Sequence, residues 1–76
     1  MNAEKYNSIV PANIERLLKE KGLKQGAVAE RAGYTDQQLC DMIKCRRIIK
    51  ACDILAIADA IGVNPGELYA VREASA

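Results

Sequence analysis

Residues 25–43, QGAVAERAGYTDQQLCDMI, contain the pattern that decides the fold. Ala29 is small and Gly33 has no side chain, which suits two helices that cross at about 90–120° on either side of a short turn. Gly33 also permits the left-handed backbone conformation in which a helix ends. After the turn, Leu39 and Met42 have the i, i+3 spacing of the inner face of a helix. The stretch therefore predicts two short helices packed against each other across a tight turn.

Capping signals set the bounds of this pair. Thr35 and Gln38 match the S/T-x-x-E/Q capping box, and Asp36 follows in the first turn, where the helix dipole favours a negative charge. We expect the second helix of this pair, which is the third helix of the chain, over residues 35–44. The first helix, over about residues 25–32, begins after a lysine, which offers its free amides no side-chain acceptor.

Three further helices are predicted outside this pair, over about residues 11–21, over residues 51–61 and from Asn64 onward. Pro65 at the first helical position and Glu67 in a second box-like cap mark the start of the last one. The predicted inner-face residues are Ile14, Leu17, Leu18, Ile54, Leu55, Ala58 and Ile61, with Leu68 and Tyr69 in the last helix. No segment alternates long enough for a strand. The predicted fold is all-α, a compact five-helix bundle.

Chain length and composition limit the possible classes of protein. With 76 residues, the chain has room for one domain, which we expect over residues 9–70 with flexible tails at 1–8 and 71–76. Residues 1–10 lack the charged and apolar regions of a secretion signal, so we expect none, and no apolar run approaches the roughly 20 residues of a membrane span. The expected location is the cytoplasm. Histidine is absent and no nucleophile stands beside a base in the sequence, so we expect no enzyme activity.

The cysteines suggest no metal or disulfide framework. Cys40, Cys45 and Cys52 are odd in number, and their spacing is not that of a zinc site. We expect three reduced thiols, with Cys52 partly buried. No metal, cofactor or small-molecule ligand is predicted.

The net charge of +1 conceals an uneven distribution. Residues 13–50 carry nine basic and five acidic side chains, a net of +4, whereas residues 51–76 carry one basic and four acidic side chains, a net of −3. The densest basic cluster comprises Lys44, Arg46, Arg47 and Lys50. Such a cluster creates a local positive field that attracts phosphate groups, although a solvated loop is the alternative interpretation.

With these features the sequence resembles the helix-turn-helix domains of the lambda repressor and Cro type, the XRE family. The resemblance covers about residues 13–69 and rests on NIERLLKEKGLKQGAVAERAG (13–33), on residues 35–47 and on ILAIADAIGVNPGELY (54–69). It implies a five-helix bundle whose third helix enters the major groove of DNA. The chain departs from the family at Cys45, where glycine is usual in the loop after that helix.

The free face of the third helix is expected to contact DNA. It is about 12 Å long, which suits the width of a major groove. Gln37 is the favoured base reader, through adenine N6 and N7, while Asp36 is suited either to cytosine N4 or only to the helix dipole. The resemblance implies that Asp41 faces a base edge, and the favoured alternative is a local ion pair with Lys44. The complete candidate set is Gln25, Thr35, Asp36, Gln37, Gln38, Cys40, Asp41, Lys44, Arg46 and Arg47.

Some roles within that set are implied by the family resemblance, and others follow from the residues themselves. The resemblance implies that Gln25, Lys44, Arg46 and Arg47 lie near phosphates. Gln38 is favoured as the cap partner of Thr35, and Cys40 as a bystander.

The prediction is sequence-specific binding of double-stranded DNA by a bacterial or phage transcriptional regulator. A homodimer on half-sites about 34 Å apart is expected, since one short helix reads few base pairs. The region around Leu68, Tyr69 and Val71 is the expected dimer contact. The alternative is a protein-interaction module, such as an antitoxin-like or accessory subunit, on a scaffold that does not read DNA. Asp36, Asp41 and the near-zero net charge favour that alternative.

Overall fold

The computed structural model describes residues 8–71. This part of the chain folds into four α-helices and one 3-10 helix: α1 (Ile9–Lys21), α2 (Gln25–Ala32), α3 (Asp36–Ile43), α4 (Ala51–Ile61) and the 3-10 helix Pro65–Tyr69. No strand occurs within it. Of the tails predicted at 1–8 and 71–76, residues 1–7 and 72–76 lie outside the described residues.

Helix bounds follow the signals in the sequence closely. The bounds of α2 and α4 are those predicted, whereas α1 begins earlier, at Ile9, and α3 ends at Ile43. The capping box of α3 is formed as expected. Gln38 N–H donates to Thr35 Oγ1 over 3.0 Å, and Thr35 N–H donates to Gln38 Oε1 over 2.8 Å.

One hydrophobic core joins all five elements. Its buried apolar residues are Ile14, Leu17, Leu18, Val28, Ala29, Leu39, Met42, Ile54, Ile57, Ala58, Ala60, Ile61 and Leu68. The prediction for α4 was wrong at Leu55, which is 59% exposed, while Ile57 is fully buried. Ile54, Ile57, Ala58 and Ile61 follow the i, i+3, i+4, i+7 spacing of a single helical face, and Leu55 falls outside that face.

The fifth predicted helix is a 3-10 helix rather than an α-helix. Its hydrogen bonds span three residues, as in Glu67 N–H to the Asn64 carbonyl over 2.9 Å. The predicted cap was wrong, because the Asn64 side chain makes no capping hydrogen bond. Leu68 is fully buried, but Tyr69 is 54% exposed and does not anchor the helix in the core.

Asn13 of α1 fastens the end of the 3-10 helix to the bundle. Its Nδ2 donates to the carbonyls of Leu68 and Ala70, each over 2.8 Å. These bonds give buried polar groups their partners, so a helix too short to be stable alone is held by tertiary contacts.

Candidate nucleic-acid interface

The turn between α2 and α3 fixes the geometry of the candidate interface. Gly33 has φ 90°, a left-handed conformation that ends α2. Tyr34 N–H then donates to the Ala29 carbonyl over 2.8 Å, which closes the turn. Ala29 is fully buried at the junction, as the need for close backbone approach predicts. The two helices therefore form the helix-turn-helix arrangement expected from the sequence.

One side of α3 packs on the core and the other remains open. Leu39 and Met42 are fully buried. On the open side, Asp36, Gln37 and Lys44 are exposed, and the candidate residues Gln38, Cys40 and Asp41 are half-buried. The candidate base readers therefore share a polar, accessible surface, which we call the α3 face: Asp36, Gln37, Cys40, Asp41 and Lys44.

Two amide-to-carboxylate hydrogen bonds organise the α3 face. Gln25 Nε2, at the start of α2, donates to Asp36 Oδ1 over 2.8 Å, so these residues meet although they are eleven positions apart. Gln37 Nε2 donates to Asp41 Oδ1 over 2.9 Å within α3. The expected pair between Asp41 and Lys44 was wrong. Among the described residues, the basic side chain nearest Asp41 is that of Arg46, whose Nη1 lies 3.9 Å from Asp41 Oδ1. Lys44 has already left the helical conformation as the C-cap of α3.

A basic loop follows the α3 face. It comprises residues 44–50, and its charged side chains, those of Lys44, Arg46, Arg47 and Lys50, are all exposed. Cys45 adopts φ 61°, so the loop keeps a left-handed conformation at this position although the residue is not glycine. Arg46 N–H donates to the Asp41 carbonyl over 2.7 Å, which fixes the start of the basic loop against the end of α3.

The start of α2 also presents free donors. Its N-cap, Lys24, supplies no side-chain hydrogen bond. The first amides of a helix have no partner within the helix, and they carry the positive end of its dipole. Gln25 is the first residue of α2, so these amides lie next to the side chain that holds Asp36.

Sequence reasoning missed one polar cluster behind the interface. Asp53, in the first turn of α4, is buried and accepts hydrogen bonds from the Tyr34 hydroxyl and from Lys50 N–H, the latter over 2.9 Å. Its position three residues after the N-cap Lys50 resembles the acidic member of a capping box, and this was the available signal.

The same cluster shifts the pKa of both partners. Burial raises the pKa of the Tyr34 hydroxyl to about 12, and the hydrogen bond to Asp53 acts in the same direction. Burial also tends to raise the pKa of the Asp53 carboxyl, but the hydrogen bonds from Tyr34 and Lys50 and the charges of Arg47 and Lys50 outweigh it. The net result is a pKa of Asp53 below its usual value.

The thiols are free within the described part of the chain. Cys45 and Cys52 are exposed and Cys40 is half-buried, so the partial burial expected for Cys52 was wrong. Cys52 occupies the first turn of α4 on the side turned away from the core.

Between residues 8 and 71, no helix combines the length and the apolar character needed to cross a bilayer.

Comparison with known proteins gives three concordant results. Residues 13–73 match the family model of the Cro/C1-type HTH DNA-binding domain. An uncharacterized HTH-type transcriptional regulator of Sinorhizobium fredii, y4dJ, is 37% identical over 60 residues, which are 79% of this chain and 78% of that protein. The crystal structure of the restriction-modification controller protein C.AhdI from Aeromonas hydrophila superposes with a TM-score of 0.77 at 24% identity, covering 83% of this chain and 96% of that one.

Proposed function

The chain belongs to the Cro/C1-type helix-turn-helix family of DNA-binding domains, and we propose that it regulates transcription by reading the major groove of double-stranded DNA with α3. The observation that carries the proposal is the α3 face, a capped and polar helical surface with a basic loop directly after it. In a helix-turn-helix, base edges are read by the first residues of the second helix, which here are Asp36 and Gln37.

Phosphate contacts are proposed at both ends of the α3 face. The exposed cations of the basic loop supply charge at one end. At the other end, the free amides that open α2 are suited to a phosphate oxygen. If about four phosphates are neutralised per subunit, log affinity falls with log salt at a slope near −4 per half-site.

A homodimer is the proposed working form. An eight-residue helix contacts few base pairs, so useful specificity needs two half-sites one helical turn or a multiple apart. Leu68 is fully buried and cannot contribute to a dimer contact, which corrects the expected interface. Tyr69 and Val71 are exposed, and Tyr69 shares an open groove of about 610 Å³ with Ile48, which is 82% exposed. Arg46 and Arg47 also line this groove. We therefore place the contact with a second copy of the chain on the Tyr69 side of the groove, which leaves both arginines for phosphates.

Selection from a pool of random DNA duplexes tests the proposal. The reduced protein is incubated with the pool at low and at near-physiological salt, and the bound fraction is sequenced. We expect a palindromic site with regular half-site spacing. The proposed bacterial or phage regulator would meet its DNA in the cytoplasm. Recovery of no DNA, or of DNA without sequence preference, would instead favour the protein-interaction module.

A further inference from the structure

We propose that Asp36, held in place by Gln25, selects a cytosine in each half-site through the base's N4 amino group. This inference rests on the proposed function and identifies one base pair of the DNA that the α3 face reads.

The first step is the charge of Asp36. Its carboxylate is exposed at the start of α3, and within the described residues it has no salt bridge to a basic side chain. Asp41 differs, because Arg46 lies 3.9 Å from it. Asp36 would therefore bring a negative charge that no basic side chain offsets to the groove of a polyanion. Such a contact is favourable only where the DNA offers a hydrogen-bond donor.

The second step is the chemistry of the base edges. An ionised carboxylate only accepts hydrogen bonds. In the major groove, guanine presents the acceptors N7 and O6, and thymine presents the acceptor O4. Adenine presents an N7 acceptor beside its N6 donor, and the negative charge of the carboxylate would be repelled by N7. Cytosine presents only the N4 donor, so it is the base that Asp36 fits.

The third step is orientation. The 2.8 Å bond from Gln25 Nε2 occupies Oδ1 of Asp36. Oδ2 lies beside Gly26 of α2, has no hydrogen-bond partner among the described residues and is the oxygen left for a base. Because Gln25 belongs to α2 and Asp36 to α3, the bond also fixes this carboxylate relative to the turn. Gln25 is thus a positioning residue for base selection.

The experiment compares the bases selected by the wild-type protein and by Asp36→Asn in a random duplex pool. We expect a cytosine at one position of the wild-type half-site and an adenine there for Asp36→Asn, because an asparagine amide can pair with adenine N6 and N7. Gln25→Leu should blunt the preference at that position while the other positions keep theirs. Asp59→Asn, the same change at an exposed carboxylate of α4, is the matched control and should select the wild-type site.

A modified base tests the contact without altering the protein. N4-methylcytosine keeps its pairing hydrogen and loses the one that faces the major groove. At the selected position it should weaken wild-type binding roughly tenfold or more, and it should leave Asp36→Asn much less affected.

Two failures are distinguishable. A wild-type protein that selects no site overturns the proposed function and this inference together. A wild-type protein that selects a defined site, with no position changed by Asp36→Asn and no sensitivity to N4-methylcytosine, overturns the inference alone.

Discussion

The hydroxyl of Tyr34 donates a hydrogen bond to Oδ1 of Asp53, and this bond joins the turn of the helix-turn-helix to the first turn of α4. Asp53 also accepts from the backbone N–H of Lys50, where the basic loop ends. A single buried carboxylate therefore connects the turn before α3 to the end of the loop after it. The relative positions of the α3 face and the basic loop depend on that connection.

Replacing Tyr34 by phenylalanine should lower the free energy of unfolding by about 1–3 kcal/mol, because it removes a hydrogen bond to a charged group and leaves one oxygen of Asp53 buried without that partner. Urea unfolding at neutral pH measures the change. Tyr69→Phe is the matched control, since Tyr69 is 54% exposed and its loss of a hydroxyl should have little effect. Equal stability of the two variants would show that the Tyr34 bond contributes nothing net.

Acid should destabilise the protein through Asp53. The folded state lowers the pKa of this carboxyl, so its stabilising contribution is fully present above the unfolded value of about 3.9. The contribution is lost as the pH falls below that value toward the folded pKa. Urea unfolding at pH 6 and at pH 3 should show a smaller drop for Asp53→Asn, which cannot titrate, than for the wild type. Parallel drops in both proteins would contradict the assignment.

The sequence predicted the parts of the fold that local signals determine. Gly33 and the Thr35 capping box fixed the turn and the start of α3. Leu55 was predicted to face the core because it is apolar like Ile57, although the spacing with Ile54, Ala58 and Ile61 favours Ile57. The Asp53 cluster was missed although Asp53 stands at the capping-box position after Lys50, because its bond to Tyr34 depends on how α4 packs against the turn.

The candidate site was predicted as a set of residues, and its internal bonds were not. The spacing within α3 identified the residues of its open face. The link between Gln25 and Asp36 depends on how α2 and α3 cross, and the position of Arg46 depends on the left-handed Cys45. These are tertiary and loop properties that helical periodicity does not encode.

Cys45→Gly should stabilise the protein by up to about 1 kcal/mol. Cys45 has φ 61°, where a side chain costs about 1–2 kcal/mol, and glycine's own loss of freedom on folding offsets part of the gain. Cys45→Ala separates backbone strain from the chemistry of the thiol, because alanine keeps the β-carbon and should give no comparable gain. If alanine stabilised as much as glycine, strain at this position would not be the cause.

Arg46→Ala combined with Arg47→Ala should weaken DNA binding by a similar factor on selected and unrelated sequences. Both side chains are exposed in the basic loop, and contacts with phosphates do not distinguish bases. The magnitude of the salt slope should fall by up to about 2 per half-site. Lys19→Ala with Lys21→Ala removes the same charge from α1 and is the control. A change in base preference, or an equal effect of the control pair, would argue against phosphate contacts at these arginines.

Tyr69→Glu should convert the proposed dimer to a monomer, as measured by analytical ultracentrifugation of the wild type and the variant at the same concentration. Tyr69 is exposed, so a carboxylate there can remain hydrated in the monomer but would be buried at the dimer contact. Truncation after Leu68 is a poorer test, because it also removes the Ala70 carbonyl to which Asn13 donates. Tyr69→Phe keeps the apolar ring and should stay dimeric.

The monomer should lose affinity for a two-half-site duplex while keeping its affinity for a single half-site, because only the former gains from simultaneous binding. A wild type that sediments as a monomer even on a palindromic duplex would refute the dimer, and a dimeric Tyr69→Glu would move the contact away from this groove.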